Sequence, residues 1–473
     1  MKIAIVKKLS ESRQNVAVWI PVAFLVFVFL LGGGSRSDVA SLPLLRAVSV
    51  VVAAWALLKL DPADWRRIRV PITLLTLLAA WMAIQLIPLP SSTWQALPGR
   101  EVTAQIDALL GQSDLWRPLS LTPGQTWNAL LGMTVLFAGL LVAARLGADD
   151  YPRIMFAIVI LGCASALLGF LQVLGGSGSP AYLYRITNDG AMVGLFANRN
   201  HHAIFLACVT LVAAMLLRDE LMRKRKRNAV RAGLLTAVVS LTICTVLIGS
   251  RAGLVATVVT FVVSYAIILS AWLAKGGYAR AEEPRRRFLS WRRLVLALPP
   301  VLLALSVAVV LALSNRVTSV TRLAGEAVAD DMRILAWPTI ETMIGKFWLL
   351  GSGFGSFPDA YRIFEPDALL QPSYFNHAHN DWAELIITGG LPFVLLTLAG
   401  LFWLVRRIVA QGARNLVKGY RGDLRLPVAV ILAVLMMASF VDYPLRVPSL
   451  QVFAILMTVL LCCPSAASRT VPE

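Results

Sequence analysis

The sequence predicts an all-α polytopic membrane protein of about twelve transmembrane helices, with one long outer loop that contains short helices. Three observations predict it. Of 473 residues, 58% are hydrophobic and 15% charged, whereas soluble proteins run near ~45–50% and ~25%. Apolar runs of spanning length recur along the chain. Lys and Arg crowd into alternate connecting segments. This composition excludes a disordered chain and a nucleic-acid-binding domain, and argues against a soluble enzyme.

A spanning helix needs about 20 mostly apolar residues. The runs that meet this are roughly 16–34, 40–59, 70–90, 126–145, 152–174, 201–217, 229–249, 253–274, 294–313, 383–405, 425–442 and 447–463. The first follows Lys2, Lys7, Lys8 and Arg13 without a clean cleavage site, so it reads as a retained helix. The five cysteines, Cys163, Cys208, Cys244, Cys462 and Cys463, all lie in apolar runs and read as small buried hydrophobes.

The net charge of +18 is explained by position. With the N-terminus in the cytoplasm and sides alternating, the cytoplasmic segments hold 31 of the 44 Lys and Arg. The runs Arg223-Lys224-Arg225-Lys226-Arg227 and Arg285-Arg286-Arg287 both fall inside, as the positive-inside rule requires. The tail is then cytoplasmic too. The outer side receives two medium loops, 91–125 and 175–200, and one long loop, 314–382. That loop mixes Trp, Pro, Gly and both charge signs, too apolar and aromatic for disorder. The chain therefore divides into helices one to nine over 1–313, a loop subdomain over 314–382, and helices ten to twelve with a tail over 383–473.

The four histidines form two clusters, His201-His202 and His377 with His379, both on the outer side at helix starts. The second lies in Asn376-His377-Ala378-His379-Asn380-Asp381-Trp382-Ala383-Glu384. Asn380 or Asp381 can cap the helix that follows. One cap needs one polar residue, and several are present. Histidine titrates near neutral pH and suits proton transfer. His-x-His alone is a weak metal signal, and no metal is expected. Three outer arginines suit phosphate oxygens: Arg251 in Gly249-Ser250-Arg251-Ala252-Gly253, Arg333 before Ile334-Leu335-Ala336-Trp337, and Arg199 beside His201. A guanidinium is permanently charged, planar and able to grip two oxygens.

Four segments together resemble the O-antigen ligase and O-antigen polymerase superfamily of bacterial inner-membrane glycosyltransferases. They are Phe196-Ala197-Asn198-Arg199-Asn200-His201, the Ser250-Arg251 turn, Arg333 to Trp337 with the glycine-rich Leu350-Gly351-Ser352-Gly353-Phe354-Gly355, and His377-Ala378-His379-Asn380-Asp381. The chain departs from the family pattern at Pro392-Phe393 after Gly390. The resemblance implies an integral-membrane-glycosyltransferase-like fold with a cavity facing the outer leaflet. It implies transfer of a glycan from a polyprenyl (undecaprenyl) pyrophosphate carrier to an acceptor hydroxyl, on lipid A-core or a growing polysaccharide. The reaction would run at the periplasmic face of the inner membrane, without metal or cofactor. On that reading His379 is the base, and His377 or Asn380 orients acceptor or histidine. Arg251, Arg333 and Arg199 hold pyrophosphate, and Asn198, His201, Asp381 and Glu384 line the substrate site. Direct displacement would invert the anomeric carbon.

Two other readings compete. A glycan transporter or flippase predicts internal repeats, broken helices and charges at the bilayer midplane. The sequence shows no repeat and almost no charge at helix centres. A scaffold that docks partners on the long loop predicts that the histidines are dispensable. Acceptor, sugar and oligomeric state stay open.

Overall fold

The computed structural model describes residues 19–147, 150–277, 299–301, 305, 333–370, 375–418 and 425–462. It is mostly helical. Among the described residues, six helices are long and apolar enough to cross a membrane: Pro62–Ile84, Pro123–Ala144, Tyr151–Leu174, Asn228–Ile248, Arg251–Ala274 and Asp381–Val409. Four shorter apolar helices, Trp19–Leu31, Leu42–Leu57, Arg425–Ala438 and Pro448–Cys462, fall on other expected runs. The run expected at 294–313 and the first part of the long loop lie largely outside the described residues. The chain folds as two units. One takes residues 1–34, 147–324 and 422–438; the other takes 35–146, 325–421 and 439–473.

The first unit is built around helix Arg199–Met222, in which every side chain from His201 to Leu217 is buried. A helix that is apolar all round belongs inside. Helices Tyr151–Leu174, Asn228–Ile248, Arg251–Gly277 and Arg425–Ala438 pack against it. Glycines permit the close approach: a Cβ on Gly162 would stand 2.7 Å from Val209. The expected basic turn, 223–227, is exposed but is anchored at both ends. Arg223 and Arg227 lie 3.3 and 3.2 Å from the buried Glu220 carboxylate.

The second unit contains helices Leu42–Leu57, Pro62–Ile84, Pro123–Ala144, Trp337–Phe347, Phe357–Phe364, Asp381–Lys418 and Pro448–Cys462, whereas Trp19–Leu31 belongs to the first. Helix Pro62–Ile84 starts eight residues before the apolar run expected at 70–90. Asp61 caps it, and Asp64 completes a capping box. Arg67 then neutralises Asp64 at 2.6 Å, so three arginines can ride on the first turns of an apolar helix. Arg46, inside its helix, donates to Asn128 Oδ1 at 2.6 Å. The segment after Ile84 is folded rather than loose. Strands Pro88–Leu89 and Arg117–Pro118 pair antiparallel, with helices Ser91–Gln95 and Glu101–Leu109 between them.

The helix expected at 383–405 is broken. It begins at Asp381, and Gly390 interrupts it at φ +64° and ψ −162°, a conformation essentially restricted to glycine. Pro392 follows and removes one further donor. The carbonyls freed at the break find partners in the glycine-rich turn. Ser352 N donates to Ile387 O at 2.8 Å, Gly353 N to Thr388 O at 3.1 Å, and Leu391 N to Leu349 O at 3.1 Å. Gln85, fully buried, donates to Thr388 O and Leu350 O at 3.0 and 3.2 Å and accepts from Phe354 N at 3.1 Å. Trp81 Nε1 donates to Gly389 O at 2.7 Å. The glycine-rich turn is therefore the plug of a helix break, which accounts for both glycine clusters.

Candidate active site

The second unit concentrates its buried polar groups where the long loop meets helix Asp381–Lys418. Helices Trp337–Phe347 and Phe357–Phe364 supply a core of Ala336, Ile340, Met343, Phe347, Phe357 and Tyr361. Ala378, Ala383 and Ile387 join that core from the other side. The histidine segment is thus fixed by Ala378 and by the helix that follows it, through Ala383 and Ile387. Phe375 stacks near Tyr361 with centroids 5.1 Å apart.

Asn380 is the helix cap, its Oδ1 accepting from Ala383 N at 3.0 Å. Asp381 does not cap. Its carboxylate is fully buried and accepts from Ser439 Oγ at 3.0 Å, Leu445 N at 3.1 Å and Arg446 Nε at 3.2 Å. Glu384 lies one turn on and is equally buried. It accepts from His377 Nδ1 at 3.1 Å and Ala378 N at 3.0 Å, and pairs electrostatically with Arg446 Nη2 at 3.2 Å. One guanidinium therefore bridges two buried carboxylates, and one of those carboxylates orients His377. The oxygens of Asp381 and Glu384 hold protein groups, so both residues brace the segment that carries the histidines.

His379 is the one non-glycine residue with positive φ among those described, at +50°. Such a backbone is uncommon outside glycine, although histidine adopts it more often than most residues do, as asparagine and aspartate do, and it is held by its surroundings. Its ring packs between Phe375 and Tyr443, with centroids 5.6 and 5.1 Å away. Its Nδ1 faces the buried Asp442 carboxylate at 3.8 Å, an electrostatic contact longer than a hydrogen bond. Burial pushes the imidazole below its ordinary value of 6.5, and the Arg333 guanidinium pushes the same way, while Asp442 opposes. The ring is neutral at pH 7 and able to accept a proton.

Asp442, Tyr443 and Arg446 were not read as site residues in the sequence. They occupy the short turn between helices Arg425–Ala438 and Pro448–Cys462, where the apolar run ends earlier than its composition suggests. The available signal was an Asp and an Arg inside a turn of a few residues between two apolar helices.

The first unit holds the other expected residues. Asn198 caps helix Arg199–Met222, accepting from Asn200 N at 2.8 Å. Arg199 is the first residue of that helix, and its N donates to Asn188 Oδ1 at 2.9 Å. His201 and His202 are both buried. His202 is tied to Met192 O at 2.9 Å and holds the 175–200 loop. Gly249 ends the preceding helix in the left-handed conformation at φ +67°. Ser250 Oγ accepts from Gly253 N at 3.1 Å, and exposed Arg251 opens helix Arg251–Gly277. Gly253 packs on Ala203, so the two helices are parallel neighbours with Arg199 and Arg251 at the same end. Helix N-termini carry partial positive charge, and paired with arginines they favour anions.

Among the described residues, no group of three or more His, Cys, Asp or Glu is placed to hold a metal ion. Apolar helices of spanning length and a polar cluster at their ends define an integral membrane protein. Residues 235–398 match the family model for O-antigen ligase, which supports the resemblance to the O-antigen ligase and polymerase superfamily. The matched segment includes Arg251, Arg333, His377, His379, Asn380 and the break at Gly390. No curated protein matches the chain.

Proposed function

We propose that the protein moves a glycan from a polyprenyl (undecaprenyl) pyrophosphate carrier to an acceptor hydroxyl, on lipid A-core or a growing polysaccharide, at the periplasmic face of a bacterial inner membrane. The observation that carries the reading is His379, a neutral imidazole held in a strained backbone with Nδ1 toward buried Asp442. That orientation leaves Nε2 as the atom that takes the proton.

The acceptor oxygen attacks the anomeric carbon while the carbon–oxygen bond to pyrophosphate breaks. The acceptor proton passes to His379 Nε2, and the bonding electron pair leaves with the pyrophosphate. Asp442 stabilises the imidazolium as it forms. Arg251, Arg333 and Arg199 receive the growing negative charge, which is work a divalent ion would otherwise do. One displacement inverts configuration at the anomeric carbon. The break at Gly390, a feature a transporter would also predict, is closed by backbone hydrogen bonds to 349–353. Nothing about it calls for a translocation path.

The test is transfer by purified protein from a polyprenyl-pyrophosphate oligosaccharide in EDTA, alone and with lipid A-core. Lengthened carrier-linked glycan identifies a polymerase, and modified lipid A-core a ligase. His379→Ala and Arg251→Ala should both lose product. Unchanged product in both variants overturns the assignment.

A further inference from the structure

The segment between helices Pro62–Ile84 and Pro123–Ala144 is pinned firmly to the second unit yet turns a row of large apolar side chains outward. Trp94 is buried, and its Nε1 donates to Pro118 O at 2.8 Å. Arg117 lies over the Trp94 ring at 5.7 Å and grips buried Asp107 through two nitrogens, Nε at 2.6 Å. Glu101 meets Lys346 at 3.1 Å. These contacts fix helix Glu101–Leu109 by its Asp107 side.

The opposite arc of the same helix carries Val102, Ile106, Leu109 and Leu110, at a spacing of three to four residues and so on one face. All four are exposed, Leu109 at 88%. Leu115 and Trp116 are exposed beside them. The buried polar contacts hold this face outward, so the segment cannot hide it by local collapse. Soluble surfaces rarely present so continuous an apolar patch without an occupant.

The two flanking helices are of spanning length and pack together. The strand pair Pro88–Leu89 with Arg117–Pro118 closes the excursion within a few residues of both helix ends. Its polypeptide therefore starts and finishes at one membrane face. Ile84, Ile87, Trp127 and Leu131 at those helix ends are exposed as well.

We propose that helix Glu101–Leu109, with Leu110, Leu115 and Trp116, is an interfacial element that lies on the bilayer with this face sunk among the lipid headgroups and upper acyl chains. A short helix with one apolar and one polar arc takes that position, and Trp favours the same depth. The element fixes how deep the second unit sits in the membrane.

The test uses the full chain reconstituted into phosphatidylcholine and phosphatidylglycerol vesicles, with an environment-sensitive fluorophore at Leu109→Cys or, on the exposed arc away from that face, Ala108→Cys. The Leu109 label should show blue-shifted emission and lose fluorescence to lipids carrying a quencher in the upper acyl chain. The Ala108 label should instead be quenched by aqueous iodide. Equal iodide quenching at both positions overturns the proposal, since the face would then be in water. A Leu109 label protected from both quenchers also overturns it, since protein would then cover the face. Because Leu109 is 88% exposed and makes no core contact, the labelled chain is expected to fold.

Discussion

Arg446→Met removes the one cation shared by Asp381 and Glu384, and its cost follows from what each carboxylate keeps. Asp381 retains Ser439 Oγ and Leu445 N; Glu384 retains Ala378 N and His377 Nδ1. Neither gains water, because both are almost fully buried. Breaking a buried ion pair from one side costs about 3–5 kcal/mol, since the orphaned charge stays desolvated. Arg446→Met should lose about that much in reversible unfolding in mixed detergent micelles. Replacing the whole network with neutral groups, Arg446→Met with Asp381→Asn and Glu384→Gln, should recover most of the loss, as buried ion networks exchanged for neutral ones usually do. A single variant within about 1 kcal/mol of the native chain, the usual worth of an exposed pair, would refute the account of Arg446 as the buried bridge. So would a triple variant no better than the single one.

Three further outcomes follow from the same geometry. The His379 imidazole is depressed below 6.5, so its neutral form persists into mildly acidic solution. The acid limb of the pH–rate profile should therefore fall below pH 6.5, with the rate lost as pH drops through it; a midpoint above that value contradicts the assignment. Gly390→Ala forces a Cβ 2.6 Å from Gly351 N in a glycine-only backbone region, and strain alone costs about 1–3 kcal/mol. It should lower the unfolding midpoint, while Gly132→Ala, which has open space, should not. Gln85→Leu strands Leu350 O and Phe354 N, while Thr388 O keeps Gly353 N, and should cost about 1–3 kcal/mol in the same assay.

Much of the fold was legible because lipid imposes a simple rule, namely that long apolar runs become helices. The runs at 152–174 and 229–249 match helices Tyr151–Leu174 and Asn228–Ile248 closely. Boundaries set by polar chemistry were less legible. Helix Pro62–Ile84 starts early because Asp61 and Asp64 cap it and Arg67 is neutralised, which no hydropathy window registers. The break at Gly390 depends on a turn about 40 residues earlier. At the site, the His377–Asp381 segment was legible as a dense polar cluster beside an apolar helix. Asp442 and Arg446 were hidden because their partners lie about 60 residues away in sequence, and each alone looks like an ordinary interfacial residue. Asp381 and Glu384 were visible as polar residues, but only packing shows that their oxygens are already engaged.

The most direct test of the central claim is the initial rate of glycan transfer at saturating donor by the native chain, Asp442→Asn and His379→Ala. Each protein should first be shown to be folded by its unfolding midpoint. The account predicts a loss of about 10²–10⁴-fold for His379→Ala, the usual contribution of a general base, with a smaller loss for Asp442→Asn. A His379→Ala protein that transfers glycan at the native rate would contradict it.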